Sequence, residues 1–297
     1  MEQEHSLING TIVKGIGGFY YVEASGIVYE CKAKGQFRKN RITPMVGDSV
    51  MISRGNREGE TVIREILPRI NEFVRPPVAN VEISMIVAAS AEPEPVFSFI
   101  DKLLVMSEKK DTEAVLVFNK CDLISPEKRD RIRSIYRGTG YPVLFVSTFT
   151  GEGIEELRNL IKNRRTMMSG ASGVGKSSIA NSLGEFGTET GLISRKTQRG
   201  KHTTRHVELL TGEDGTMIFD TPGFTSFEIL DMKPEELKYY YPEFEEHTGE
   251  CRFSSCMHVS EPDCSVKYAV EEGSISSERY ESYVRIFNEL KEKPVKF

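Results

Sequence analysis

The order of three short motifs constrains the fold of this chain more than any other feature. NKCD occupies residues 119–122, GASGVGKS follows at residues 170–177, and DTPG comes last at residues 220–223. GASGVGKS follows the strand-like RRTMMS and precedes the helix-like SSIANSL, which is the setting that a phosphate-binding loop requires. Domains with these motifs usually begin with the phosphate loop and end with NKxD. The changed order therefore predicts a circularly permuted domain.

The glycine-rich loop carries the residues expected to hold phosphates. Its glycines let backbone N–H groups curl around phosphate oxygens, Lys176 reaches the β- and γ-phosphates, and the Ser177 hydroxyl binds Mg²⁺. A glycine-rich turn with an incidental lysine is the alternative, and the strand–loop–helix setting argues against it. The predicted phosphate-contacting residues are Gly170, Ala171, Ser172, Gly173, Val174, Gly175, Lys176, Ser177 and Ser178.

NKCD follows the strand-like AVLVF and predicts that the bound base is guanine. The Asp122 carboxylate can accept two hydrogen bonds from guanine N1–H and the exocyclic amine, a pair that adenine cannot supply. Asn119 can hold the base edge and the neighbouring loops, while the Lys120 stem lies over the base. Helix capping by Asn119 and Asp122 is the alternative. The predicted base-contacting residues are Asn119, Lys120, Cys121, Asp122 and, at the end of the next strand, Ser147 with Thr148.

DTPG follows the strand-like TMIFD and is expected to complete the phosphate end of the site. Asp220 would hold Mg²⁺ through water, and the Gly223 N–H would meet the γ-phosphate. The segment GKHTTRH lies between the phosphate loop and DTPG. Within it Thr204 is the expected second Mg²⁺ ligand, from a switch segment that orders around the nucleotide, and Thr203 is the alternative.

The catalytic position departs from the common pattern. A glutamine often follows DxxG and orients the attacking water. Here Phe224 occupies that position, and its side chain cannot hydrogen-bond water. His202 is the candidate replacement, because histidine is polar, usually titrates near neutrality and here lies beside the tandem threonines. An ordinary exposed loop histidine is the alternative on the residues alone.

A cysteine-rich segment near the C-terminus predicts a metal site. Cys251, Cys256, His258 and Cys264 form the pattern C-x4-C-x-H-x5-C. Three thiolates and one imidazole close a tetrahedral Zn²⁺ shell with no open position, which is typical of a structural site. Five cysteines cannot all pair within the chain, and clustering in a cytosolic protein favours metal over disulfides. His247 is a weaker alternative ligand, and the isolated Cys31 and Cys121 are expected to be packing residues.

The chain as a whole is predicted to be a multidomain α/β protein. Residues 7–66 read as short strands broken by glycine, which favours an OB-like β-barrel over an SH3-like one without excluding the latter. Pro68, Pro76 and Pro77 indicate a linker. Strands then alternate with helical spacing, as in a parallel sheet covered on both faces. The predicted domains are an OB-like barrel that binds RNA (1–72), a permuted phosphate-loop domain (73–230) and an α-helical zinc-binding domain (231–297).

Composition limits the environment and the partners. The net charge of −5 argues against a generally basic nucleic-acid-binding coat. No apolar run is long enough to span a bilayer, and the polar, acidic start MEQEHSLING does not resemble a secretory signal. We therefore expect a cytoplasmic protein without membrane partners, and a monomer.

Together the three parts make the chain similar to the ribosome small-subunit-dependent GTPase A (RsgA) family. The resemblance covers essentially the whole chain: the barrel, the permuted NKxD–GxxxxGKS–DxxG domain and the C-x4-C-x-H-x5-C segment. It implies a GTPase of late small-subunit assembly that the subunit stimulates, with the barrel and the zinc-binding domain contacting rRNA. It also implies that His202 is catalytic.

Two functions of different class are compatible with the residues. One is an enzyme whose GTP hydrolysis drives release from the ribosome. The other is a GTP-gated RNA-binding module in which hydrolysis is incidental, a reading that the missing glutamine keeps open. A small-molecule kinase that uses the phosphate loop is disfavoured by NKCD.

Overall fold

A computed structural model gives the fold of the chain. It describes residues 7–35, 37, 42–54, 60–74, 76–184, 207–212, 214–220 and 232–292. The strands are β1 (Ile8–Ile16), β2 (Phe19–Ala24), β3 (Ile27–Ala33), β4 (Ser49–Arg54), β5 (Thr61–Ile66), β6 (Glu72–Val74), β7 (Pro77–Ala79), β8 (Ile83–Ala89), β9 (Glu113–Asn119), β10 (Val143–Phe145), β11 (Arg165–Ser169), β12 (Glu208–Thr211) and β13 (Met217–Asp220). The α-helices are α1 (Phe97–Lys109), α2 (Pro126–Ile135), α3 (Ile154–Ile161), α4 (Lys176–Leu183), α5 (Ser265–Glu271) and α6 (Ser277–Glu292).

The first five strands form the expected closed barrel. Their order is β1-β2-β3-β5-β4, and β1 closes the barrel by pairing with β4. All neighbours are antiparallel except β3 and β5. Inward-facing apolar side chains alternate along the strands, as they must in a half-buried sheet. The barrel core contains Ile12, Val22, Cys31, Val50, Ile52 and Ile63. The prediction that Cys31 is a packing residue is therefore confirmed.

The predicted linker is wrong in detail, because residues 72–74 and 77–79 form a two-stranded ribbon. β6 pairs antiparallel with β7, and Val74 lies opposite Pro77. Proline cannot donate to a ladder, but it is tolerated at the first residue of a strand, which is where Pro77 lies. Arg69 connects the ribbon to the barrel, because it bonds the Glu72 carboxylate of β6 and donates to both carboxylate oxygens of Asp48 at 2.7 and 2.9 Å. The proline-rich segment is therefore folded.

One compact unit comprises residues 1–83, 158–168 and 183–224. Beyond the barrel it contains β11 and β13, which run parallel, and β12, which runs antiparallel to β13. β1 also pairs with β12, and Lys14 forms a 2.9 Å ion pair with Glu208 at this register. The barrel therefore continues into the strand next to the one that ends at Asp220.

The second compact unit comprises residues 84–157, 169–182 and 225–297. Its strands follow the order β10-β9-β8, and β9 and β10 are parallel. α1 and α2 cover these strands through a core that contains Ile86, Leu104, Leu116, Phe118 and Ile132. The predicted strand AVLVF is confirmed as part of β9, and β8, α1 and β9 show the predicted alternation of strands and helices. No helix in the described ranges is both long and apolar enough to cross a membrane.

The C-terminal segment packs on α1 within this second unit. Two 3₁₀ helices (Pro234–Tyr240 and Pro242–His247) precede α5 and α6. Their core contains Val105 of α1 together with Leu237, Phe244, Tyr283 and Ile286. Arg279 of α6 is buried and bonds the carboxylates of Asp101 at 2.6 Å and Glu243 at 2.7 Å. A buried ion network therefore joins the C-terminal segment to α1.

Candidate nucleotide site and metal centre

The glycine-rich loop connects β11 to α4, as the sequence predicts. Gly170 has a φ of +147°, and a Cβ there would overlap the carbonyl oxygen of Val87. Only glycine fits both this backbone conformation and this close approach. The Lys176 ammonium donates to the carbonyl oxygens of Gly170 and Ala171, each at 2.8 Å. Burial lowers the pKa of Lys176. A tight loop at a helix start with a half-buried ammonium is suited to bind phosphates.

Asn119 ties the loops of the candidate site together. Its side chain is 1% exposed, and its Nδ2 donates to the carbonyl oxygen of Val174 in the phosphate loop at 3.0 Å. Its Oδ1 accepts the backbone N–H of Thr148 at 3.4 Å. Gly175 approaches the same side chain so closely that a Cβ would overlap Asn119 Nδ2. The predicted role of Asn119 in holding neighbouring loops is confirmed.

The rest of NKCD forms a tight turn beside Asn119. Lys120 has a left-handed φ of +60°, and its ammonium donates to the carbonyl oxygen of Glu92. Cys121 is fully buried, and burial raises the pKa of its thiol to about 11. The side chain of Cys121 therefore packs, as predicted for a packing residue. Asp122 is exposed in the turn Cys121–Leu123, where its carboxylate is free to meet a ligand edge.

Ser147 organises the loop that follows β10. Its hydroxyl accepts the backbone N–H groups of Phe149 at 3.3 Å and Thr150 at 3.1 Å. Its own N–H donates to the Glu152 carbonyl at 2.9 Å, and its carbonyl accepts Gly151 N–H at 2.8 Å. The buried side chain thus shapes the loop, and a contact between Ser147 and a nucleotide stays a prediction.

Arg129 is a site residue that the sequence reasoning missed. It lies on α2, donates to the Cys121 carbonyl at 2.9 Å and forms a 2.5 Å ion pair with Glu152. It therefore clamps the NKCD turn to the loop after β10. Its acidic partner is separated from it by a strand and a turn, so no local pattern identifies the pair.

The described residues cover only part of the DTPG end. Asp220 ends β13, whose register with the parallel β11 places Phe219 opposite Met167. Asp220 therefore lies at the end of the strand next to the one that leads into the phosphate loop. His202, Thr203, Thr204 and Gly223 lie outside the described residues, so their predicted roles stay predictions.

The cysteine–histidine cluster is assembled. The ligand atoms of Cys251, Cys256, His258 and Cys264 all lie within 4.8 Å of one another. His258 Nδ1 lies 3.5 Å from Cys251 Sγ and 3.3 Å from Cys264 Sγ, and these two sulfurs are 3.9 Å apart. A tetrahedral Zn²⁺, with bonds of about 2.3 Å to sulfur and about 2.0 Å to nitrogen, separates neighbouring ligand atoms by about 3.5–3.8 Å. The donor set fits such an ion.

The surroundings of the cluster favour the metal-binding protonation state at His258 and Cys251, whereas burial raises the pKa of the Cys256 thiol to about 12 and also raises that of Cys264. Burial lowers the pKa of His258 to about 4, which leaves the imidazole neutral at neutral pH. Burial opposes ionisation of Cys251, but hydrogen bonds with Ser265, Cys256 and Cys264 together outweigh it, and the net effect lowers the pKa of this thiol. The backbone N–H of His258 donates to Cys256 Sγ at 3.4 Å.

The loop that carries the ligands is held by Glu261 and two tyrosines, none of which the sequence reasoning identified. The Glu261 carboxylate accepts the backbone N–H of Met257 at 2.9 Å and of Val259 and Ser260 at 3.1 Å each. Tyr280 and Tyr283 of α6 donate to the carbonyls of His258 and Met257 at 2.8 and 2.6 Å. These contacts fix the orientation of the ligands from outside the cluster.

The fold and this geometry define the class: a circularly permuted phosphate-loop GTPase with a barrel before it and a Cys₃His cluster after it. The RsgA GTPase family model matches residues 66–230, and the RsgA N-terminal domain model matches residues 9–63. The chain belongs to the RsgA GTPase family.

Individual relatives are similar to this chain over nearly the full length of both chains. The small ribosomal subunit biogenesis GTPase RsgA of Agathobacter rectalis is 47% identical, over 96% of this chain and 98% of its own. The crystal structure of YjeQ from Thermotoga maritima matches with a TM-score of 0.84 and 39% identity, covering 97% of this chain and all of that one. YloQ, described as a circularly permuted GTPase, matches with a TM-score of 0.81 and 34% identity, covering 100% and 99% of the two chains.

Proposed function

We propose that this protein hydrolyses GTP to GDP and phosphate in the biogenesis of the small ribosomal subunit. The nucleotide assignment rests on the hydrogen bonds of the Asn119 side chain, which joins the phosphate loop to the loop after β10. A residue buried between the two loops keeps guanine recognition and phosphate binding in one fixed geometry. The ribosomal assignment is supported by the relatives, which carry the name small ribosomal subunit biogenesis GTPase.

Different residues bind the base and the phosphate end of the nucleotide. Asp122 reads the guanine edge, the loop 170–178 binds the phosphates, and Ser177 with Thr204 holds the Mg²⁺ that accompanies GTP. Asp220 and Gly223 contact the Mg²⁺ shell and the γ-phosphate, and His202 orients the attacking water. We assign the Cys₃His cluster to one structural Zn²⁺, because four protein ligands leave no position for a substrate.

The partners follow from this assignment. We assign residues 1–72 and 231–297 to contacts with the small subunit and its rRNA, and residues 73–230 to GTP and GDP. The protein acts in the cytoplasm as a monomer between rounds of subunit binding. OB-like barrels bind oligonucleotides on one strand face and the adjoining loops.

GTP hydrolysis with and without purified small ribosomal subunits tests the proposal. The subunit should raise turnover, and ATP in excess should not compete. The His202→Ala variant should keep GTP affinity but lose tenfold or more of the stimulated rate, which is about 1.4 kcal/mol in barrier. Competition by ATP equal to that of GTP would exclude the guanine assignment. GTP binding without any subunit effect would instead support a GTP-gated module whose hydrolysis is incidental.

A further inference from the structure

Phe149 is exposed to an unusual degree. Its side chain is 90% exposed, the highest value among the large hydrophobic side chains in the described part of the chain. It lies in the loop after β10, whose two ends are both attached to the NKCD turn. Thr148 N–H donates to Asn119 Oδ1 at one end, and Glu152 pairs with Arg129 and contacts Cys121 Sγ at the other. The aromatic ring is therefore displayed next to the proposed guanine site.

The loop does not need the ring for its own structure. Its backbone is fixed by the Ser147 hydroxyl, which accepts two N–H groups, and by the bonds of Ser147 N–H and carbonyl. Thr150 Oγ1 adds a bond from the Glu152 N–H at 3.3 Å. A loop held this way by backbone and hydroxyl groups keeps its conformation when the Phe149 side chain changes.

Guanine bound through its edge to Asp122 still has two apolar faces to cover. The Lys120 stem, fixed by the bond of its ammonium to the Glu92 carbonyl, is available for one face. We propose that the ring of Phe149 stacks on the other face of the guanine base. This inference rests on the proposed GTP site, and it adds a base-binding residue to it. Every base has a π-face, so stacking contributes affinity while Asp122 supplies the choice of guanine.

A tryptophan reporter tests the stacking directly, because the chain contains no tryptophan. Phe149→Trp creates a single tryptophan whose fluorescence should be quenched saturably by GDP or GTP and should be unaffected by ATP. The matched control is Tyr239→Trp, which replaces another aromatic residue, 70% exposed in the 3₁₀ helix Pro234–Tyr240. Its fluorescence should not respond to GDP. A Phe149→Trp protein that binds GDP by calorimetry without a fluorescence change would overturn the proposal.

Side-chain truncation gives an independent measurement. Phe149→Ala should weaken the binding of GDP and GTP alike by about 5- to 150-fold, the range of one base–aromatic stack. Its kcat should not change, because stacking stabilises bound substrate and transition state equally. Phe149→Tyr should bind as tightly as the wild type. Unchanged GDP affinity in Phe149→Ala refutes the stack, whereas failure of wild-type protein to prefer GTP to ATP refutes the proposed function itself.

Discussion

At the scale of single residues, the phosphate loop and the NKCD turn meet where Gly175 faces Asn119. A Cβ on Gly175 would overlap Asn119 Nδ2, and its φ of +94° disfavours any L side chain. Gly173 has a similar φ of +80°, but nothing lies within 4 Å of its Cβ position. Gly175→Ala should therefore lose GDP affinity at least about tenfold more than Gly173→Ala, because it also displaces the side chain that joins the two loops. Calorimetric titration with GDP measures this, and equal losses would show that the Asn119 contact does not matter.

At the scale of elements, α2 acts as a clamp on the base-binding loops. Arg129 bonds the Cys121 carbonyl of one loop and Glu152 of the other. Arg129→Ala should raise the KM for GTP several-fold with little change in kcat, because the loops bind the base and take no part in the chemistry. Arg131→Ala is the matched control, since Arg131 lies on the same helix and its largely exposed side chain pairs with Glu278 at 3.6 Å. An equal rise in KM in both variants would indicate that the loss of a positive charge on α2, and not the loss of the loop contacts, weakens GTP binding.

Some of the secondary-structure elements could be predicted from the sequence, and others could not. The strands β8 and β9 and the phosphate loop were predictable, because apolar runs and glycine spacing are local signals. The Cys₃His cluster was predictable for the same reason, since its four ligands lie within one short segment. The β6–β7 ribbon was missed because its prolines suggested a linker, and α2, α3, α5 and β12 carried no motif that singled them out. The Arg129–Glu152 clamp depends on a contact that only the folded chain brings together.

At the scale of the whole molecule, a buried ion network fastens the C-terminal segment to α1. Arg279 is 1% exposed and lies between Asp101 and Glu243, and its guanidinium stacks on the Tyr241 ring at 4.4 Å. Arg279→Ala leaves two buried carboxylates without their cation and should lower the unfolding free energy by about 3–5 kcal/mol. Arg285→Ala, on the exposed side of the same helix, should change it by less than about 0.5 kcal/mol. Denaturant unfolding compares the two variants, and similar midpoints would contradict the assigned role.

The metal centre and α1 share one core, so loss of the metal should affect more than its own loop. Cys256 and Cys264 pack in the same cluster as Val105 of α1, Phe244 and Tyr283. A small segment of this kind takes part of its folding free energy from the ion. Cys256→Ser, or removal of the metal by a chelator, should therefore release hydrogen-exchange protection near residues 243–270 and at α1. The phosphate loop should remain protected, because its contacts are with β8 and Asn119.

Loss of the metal should also change the rate of GTP hydrolysis in the presence of the small ribosomal subunit. Loss of the metal should reduce stimulation by the small subunit more than basal hydrolysis, since the nucleotide site stays formed while the C-terminal segment does not. Cys31→Ser is the matched control, because Cys31 is a similarly buried thiol that belongs to the barrel core and is not one of the four cluster residues. Mass spectrometry should find about one zinc per chain in the wild type and in Cys31→Ser, and none in Cys256→Ser. Zinc retained in Cys256→Ser would refute the ligand assignment, and full stimulation after metal removal would refute the coupling.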